Sequence, residues 1–350
     1  MGYCVVKADL KKDKGKIIAV WEKNSPGVLS DKFDWIYQNN PIGLAHVWMI
    51  RHDPSGEYVG VTAIFCRKFL VNGSLLIGGI AGDLLVNQEH RAAGPAVMLQ
   101  KNASFAIEEG VVDFIYGFPN KAAEPIFKRI GYVPLGDRVR LVKVLKTAFY
   151  ISKLTGSRYV GMFLGPLVDL ALRVASGEVW GPLRKEYICE EVQEFDGRFE
   201  QLWKNANVEC PIVGERGREY LQWKFVRSVR AENKILAVFD LGRKNVEGYL
   251  IYRHQADSIE IRDLLIASSS RALNVLIACL FCRARYSQVT SINLALLRSR
   301  KVHAMLRKFG FIEREDPHRI YLRCSDKVTK LFPAIWDPEQ WCLFQSDDDM

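Results

Sequence analysis

The sequence predicts an α/β (α+β) chain of two mixed-sheet domains in tandem, and three observations carry that prediction. The 350 residues are about twice an ordinary domain length, enough for two cores. Hydrophobic and charged fractions of 49% and 25% are those of a globular chain, which excludes a disordered or collagen-like one. The order of elements in the first half is repeated in the second.

The repeat is visible residue by residue. Asp83-Leu84-Leu85-Val86 matches Asp263-Leu264-Leu265-Ile266, and the same register places Arg91-Ala92 on Arg271-Ala272. One residue is lost before Phe127-Lys-Arg-Ile-Gly131-Tyr132 meets Leu306-Arg-Lys-Phe-Gly310-Phe311. Upstream, Asp34-Trp35-Ile-Tyr37 resembles Gln222-Trp223-Lys-Phe225.

Periodicity places the elements. Residues 3 to 8 alternate as a strand, 13 to 23 are helical, and 30 to 38 form a second helix carrying Trp35. His46 to Arg51 and Tyr58 to Phe65 flank Asp53-Pro-Ser-Gly56, a turn signal, and so predict a hairpin. Ser74 to Val86 contains the next strands and 94 to 108 a helix. Phe114 to Phe118 is a strand, Glu124 to Ile130 a helix ended by Gly131, and Arg138 to Leu145 the last strand. The second half repeats the plan, with strands near 234 to 240, 247 to 253 and 258 to 266 and a helix near 270 to 285. The segments are a first domain over 1–146, a connector over 147–195, a second domain over 196–326, and an aromatic strap with an acidic, frayed tail over 327–350.

Lysine and arginine exceed the acidic residues by nine, which favours anionic partners. The basic residues are scattered, so DNA is not expected among them. Eight cysteines without framework spacing point to the reducing cytoplasm. Cys279 and Cys282 lie in an apolar helical run and are expected as core thiols, with no metal assigned. The apolar stretch from Tyr159 to Val174 is too short to span a bilayer. It is expected as a connecting helix packed between the domains, with weak contact at a membrane surface as the alternative.

The run from Val86 to Ala96 joins a strand to a helix start, where unpaired amides attract anions. Small residues at Ala92, Ala93, Gly94 and Ala96 allow close approach, Arg91 adds charge, and Pro95 suits a first helical turn. Arg91, Gly94 and Ala96 match the signature of the GNAT superfamily of N-acetyltransferases: Gln or Arg, two residues, Gly, one residue, Gly or Ala. Asn120, Ala123, Phe127, Gly131 and Tyr132 match its second element. The chain therefore resembles a GNAT acyltransferase, and the ending from Trp336 to Met350 resembles that of tandem GNAT-like proteins of bacterial polysaccharide synthesis.

That resemblance implies acetyl-CoA as co-substrate. Leu84, Leu85 and Val86 would pair with the pantetheine arm, residues 91 to 96 would bind the diphosphate, and Asn120 and Phe127 would lie where the thioester emerges. Asn120 equally suits a helix cap. Relatives often carry a tyrosine acid at the position of Phe127, which has no proton to give. Water, another hydroxyl such as Tyr116 or Tyr132, or no dedicated acid then serves the leaving thiol, and a carboxylate, for which Asp83 and Glu89 are candidates, or an ordered water frees the incoming amine. Asp83 recurs as Asp263, so a structural role also fits. In the second half Asn274 and Leu276 replace Gly94 and Ala96, which predicts poor cofactor binding there. The expected activity is acetyl transfer to a primary amine on a small molecule or glycan, such as an amino sugar. An aminoacyl-tRNA-dependent transferase and a non-catalytic binding protein are the competing readings.

Overall fold

The tight turn at Asn72-Gly73, with φ of 49° and 79°, is what joins the two longest strands of the first half into a hairpin. The computed structural model describes residues 2–348 except 26, 28–29, 92, 176–185, 207–209, 230–231 and 268–269. Ala92 and Asp349 therefore lie outside the described residues.

Six strands come from the first 146 residues: β1 Tyr3–Lys7, β2 His46–His52, β3 Tyr58–Val71, β4 Ser74–Val86, β5 Phe114–Gly117 and β6 Val133–Val144. Eight follow: β7 Tyr187–Val192, β8 Ile212–Gly214, β9 Lys234–Asp240, β10 Val246–Gln255, β11 Ser258–Ile266, β12 Ser291–Leu297, β13 Ile312–Cys324 and β14 Trp341–Cys342. Residues 74–86 make one strand, and the predicted connector ends in β7, an edge strand.

The order is β1-β2-β3-β4-β5-β13-β6-β12-β11-β10-β9-β7, with β14 and β8 attached to β3. Read from either edge inward, the plan is the same. An antiparallel run of four strands is followed by one parallel neighbour, β5 beside β4 and β12 beside β11. At the centre the last strands are exchanged. β13 pairs with β5, β6 pairs with β12, and β6 and β13 pair with each other. Neither half closes its own sheet, so the core is shared: Leu297, Ile320, Leu322 and Trp341 pack in one cluster with Trp21, Phe65 and Phe69.

A second junction lies in the helices. Ser30–Phe33 and Arg218–Leu221 each run into a widened π-helical turn, Asp34–Gln38 and Gln222–Val226. The wide turns bring Trp35 and Trp223 face to face, and each indole N–H donates to the other's carbonyl at 2.9 Å. Burial of both rings at 5% exposure makes these paired donors costly to lose.

Three expectations are corrected. The helix over Arg158–Ala175 is not packed between domains; of its 18 residues only Gly161 and Gly165 are buried. The tail does not fray at Asp347, which is 0% exposed. Cys279 is half-buried, but Cys282 is exposed and is no core thiol.

Candidate active site

Two forks open in the sheet. β4 and β5 run parallel only from Gly78 opposite Phe114 to Ile80 opposite Tyr116, after which β4 continues to Val86 with no partner on that side. β11 and β12 likewise pair over Ser258–Ile261 and Ser291–Leu294 before parting. Each outer strand is irregular at the fork. Thr62 faces both Asp83 and Leu84, and Asp83 takes a left-handed φ of 49°. Its counterpart shift lies between Ile251 and Tyr252, beside Arg262.

In the first fork Asp83 accepts from the Tyr37 hydroxyl at 2.7 Å and lies 3.6 Å from Lys32 Nζ. Its side chain is 18% exposed, so the carboxylate meets both groups within reach of solvent. Leu84 and Leu85 are half-buried and Val86 is buried. Arg91 folds back: its Nε donates to the Val86 carbonyl at 2.9 Å and one terminal nitrogen to Asn24 at 3.0 Å. It braces the loop against the helix Lys14–Asn24.

The helix Ala93–Ser104 starts at this loop. A Cβ added at Gly94 would meet nothing within 4 Å, so the first turn opens onto free space. Pro95 is buried and Ala96 packs partly against the core through the same helix as Leu99 and Ala103. Helix-start amides and open space suit a diphosphate.

The inner end of the fork is lined with rings. A Cβ on Gly117 would fall 2.9 Å from the Phe127 ring and 3.3 Å from Ala81, so the ring fills the vertex between β5 and β4. Phe127 also touches Tyr132 and Tyr321, the latter brought by β13 from the far half. Tyr321 donates to Glu124 at 2.6 Å, tying β13 to the helix Glu124–Arg129. Asn120 Oδ1 accepts the amides of Ala122 and Ala123 at 3.1 and 3.0 Å, the cap geometry.

The remaining candidates are less open. Tyr116 is fully buried, its hydroxyl donates to the Asp347 carbonyl at 2.8 Å, and burial pushes its pKa well above the ordinary tyrosine value. Tyr132 is raised too, by burial, and lies 3.4 Å from Gln100, which also meets Thr62. Glu89 sits exposed on the short turn Gln88–His90. The sequence reading missed Tyr37, although it lies two residues from the noted Trp35, and Tyr321, which no local signal marks.

The second fork is closed by the chain itself. Leu297 donates to the Leu343 carbonyl at 2.9 Å, Phe344 bridges to Leu296, and the turn Gln345–Asp347 packs against both β11 and β12. Arg216, 1% exposed, joins Asp263 at 3.0 Å to Asp347 at 3.3 Å, and Arg67 binds the other side of Asp347. Burial opposes the Asp347 charge, yet Arg67, Arg216 and the Phe344 amide hold its carboxyl below the ordinary value. Those contacts engage both oxygens of the Asp347 carboxylate. Leu276 is fully buried in a core cluster with Leu273, Ile277 and Leu280, so its bulk does not stand at the helix start where it was expected to block a diphosphate.

No protein-family model and no curated protein matches this sequence. Solved structures do. A probable N-acyltransferase from Enterococcus faecalis V583 is similar over 93% of this chain and 73% of its own, at TM-score 0.68 and 12% identity. A GCN5-related N-acetyltransferase from Anabaena variabilis ATCC 29413 matches over 92% and 73%, at TM-score 0.62 and 15% identity. An N-myristoyltransferase from Saccharomyces cerevisiae, with bound myristoyl-CoA, matches over 91% and 78%, at TM-score 0.56 and 11% identity. The fold is that of the GCN5-related acyltransferases.

Proposed function

We propose that this protein is an acyl-CoA-dependent N-acyltransferase, built by duplication of one GNAT unit, that moves acetyl from acetyl-CoA to a primary amine. The observation that carries the reading is the contrast between forks: the first combines an unpaired β4 edge with an open helix start at Gly94, while the second holds the tail. The matched order of strands and the reciprocal tryptophans support the duplication. Free thiols throughout the described chain support a cytoplasmic setting.

In this reading the main chain of Leu84 to Val86 adds the pantetheine arm as a strand, and the amides of Ala93, Gly94 and Ala96 take the diphosphate. Asp83 receives the proton that the ammonium must shed, steadied by Tyr37 and Lys32. The freed amine attacks the thioester carbonyl, the C–S bond breaks with its electron pair leaving on sulfur, and the nitrogen gives up its second proton to the departing thiolate or to water. Phe127 gives no proton, and Tyr116, with its raised pKa and engaged hydroxyl, is a poor acid. The thiolate is a good enough leaving group to depart unaided or to take a proton from water. An amino sugar of the kind used in bacterial surface polysaccharide is the favoured acceptor.

The test is calorimetric titration with acetyl-CoA, followed by thiol release across amino sugars, polyamines and peptides. Saturable binding and release with one amine class is the expected result. Tight aminoacyl-tRNA binding without CoA binding overturns the proposal, and CoA binding with no release on any amine reduces the protein to a binding module.

A further inference from the structure

The segment after β6 is an inside-out pair of helices. Ala148–Thr155 has no buried residue, and Arg158–Ala175 buries only its two glycines. The seam between them is made of small residues: a Cβ on Gly165 would lie 2.8 Å from Ala148 Cβ, and one on Gly161 would collide with the Ala148 carbonyl and Ser152. Gly161-x-x-x-Gly165 thus lets the two backbones touch, the mode of helix contact that works where large apolar side chains gain nothing by facing inward.

The large side chains face out. On the longer helix Tyr159, Met162, Phe163 and Leu167 are 76%, 64%, 71% and 64% exposed, with Leu164 and Val168 beside them. At 100° per residue, the arc from Met162 through Tyr159, Phe163, Leu167 and Leu164 to Val168 covers roughly 240° of the helix. Phe149 and Leu154 on the shorter helix are 71% and 88% exposed. A second copy of the chain would cover one face of such a helix, whereas lipid surrounds it.

Charge selects the lipid. Lys153 and Arg158 are exposed on either side of the hairpin tip, and Arg173 is exposed near the far end. Asp169, the one acidic residue of the pair, is turned inward, accepting from the Thr147 amide and hydroxyl at 2.8 and 2.7 Å. At the foot, Lys146 is held by Gln288, two residues from Tyr286, which is 92% exposed. Among the described residues no helix is long and apolar enough to cross a membrane.

We infer that the hairpin 148–175 is a membrane anchor that lies in one leaflet, its apolar arc among the acyl chains and Lys153 and Arg158 at anionic headgroups. Flotation of the full chain with phosphatidylcholine vesicles, with and without phosphatidylglycerol, tests this. The protein is expected to float with the anionic vesicles and far less with neutral ones. Phe163→Glu with Leu167→Glu is expected to lower partitioning by about tenfold or more, since each residue forfeits its burial in lipid. Lys153→Glu with Arg158→Glu is expected to weaken binding to the anionic vesicles alone. These side chains point outward, so an unchanged urea midpoint establishes that the variants fold. Failure of the parent chain to float with either vesicle overturns the inference. So does equal flotation of the Phe163→Glu, Leu167→Glu variant, or equal binding to both compositions. A lipid-free dimer that this variant splits, with no vesicle binding, assigns the face to a second copy instead.

Discussion

The two forks share a backbone and differ in what fills them. In the first, β4 runs on unpaired toward a helix whose opening turn has bare space at Gly94, and Asp83 keeps contact with solvent. In the second, the equivalent aspartate, Asp263, is 2% exposed and locked through Arg216 to a tail aspartate. Both aspartates accept from a tyrosine and face a cation, Tyr37 and Lys32 in one case, Tyr249 and Arg216 in the other. One strand plan therefore leaves one fork open and fills the other. A few residues of tail decide which.

The largest expected effect breaks the socket. Arg216→Ala leaves two buried carboxylates without their shared partner and is expected to cost about 3–5 kcal/mol in urea unfolding. Lys32→Ala, the matching change in the open fork, is expected to cost less than Arg216→Ala, because Asp83, 18% exposed, still reaches water and keeps Tyr37. Equal losses would mean the forks are not held differently.

Next comes the slot. Gly94→Trp fills free space without a clash and is expected to weaken acetyl-CoA binding about 100-fold, or 2.7 kcal/mol, by calorimetry. Asn274→Trp, at the same place in the second half, is expected to leave the Kd within about twofold, since the tail already excludes ligand there.

Lys224 sharpens the contrast through pH. It occupies the position of Ile36 in the repeat, donates to the Asp348 carbonyl at 3.3 Å, and is pushed down to about 7 by burial, with Arg67 and Arg262 adding to the shift. Between that value and the ordinary 10.5 the unfolded chain binds a proton that the folded chain lacks. Stability in that window should rise with pH, by about 1 kcal/mol per pH unit relative to Lys224→Met. Urea midpoints of the two proteins at several pH values measure it, and parallel curves would show that Lys224 stays charged.

The smallest effect concerns Asn120. Its side chain caps the turn before Glu124–Arg129, so Asn120→Ala is expected to cost about 1 kcal/mol in thermal melts. If acetyl-CoA affinity drops more than the lost stability explains, Asn120 touches the co-substrate as well.

Much of the first half was legible because its signals are local. The turn at 53–56, the strand 58–65 and the helix start after Arg91 depend on neighbours within a few residues, and each formed close to its predicted place. The Trp35 and Trp223 alignment was legible too, though not the hydrogen bonds they exchange across 188 residues. Arg91 was read as a charge for phosphate, and what was not legible is that its guanidinium also braces Asn24 and Val86. The apolar helix after residue 157 was expected to be covered, because hydrophobic composition alone does not say which surface a segment meets.

By itself, the sequence determined the kinds of element, their order, and the small residues that leave a helix start open, since periodicity and side-chain volume act at short range. The tertiary structure alone decided that β6 and β13 trade places and that the tail enters the second fork. Strand pairing is made by backbone groups common to every residue, so many partners are locally equivalent. The choice among them falls to the packing of the whole sheet and its buried charges.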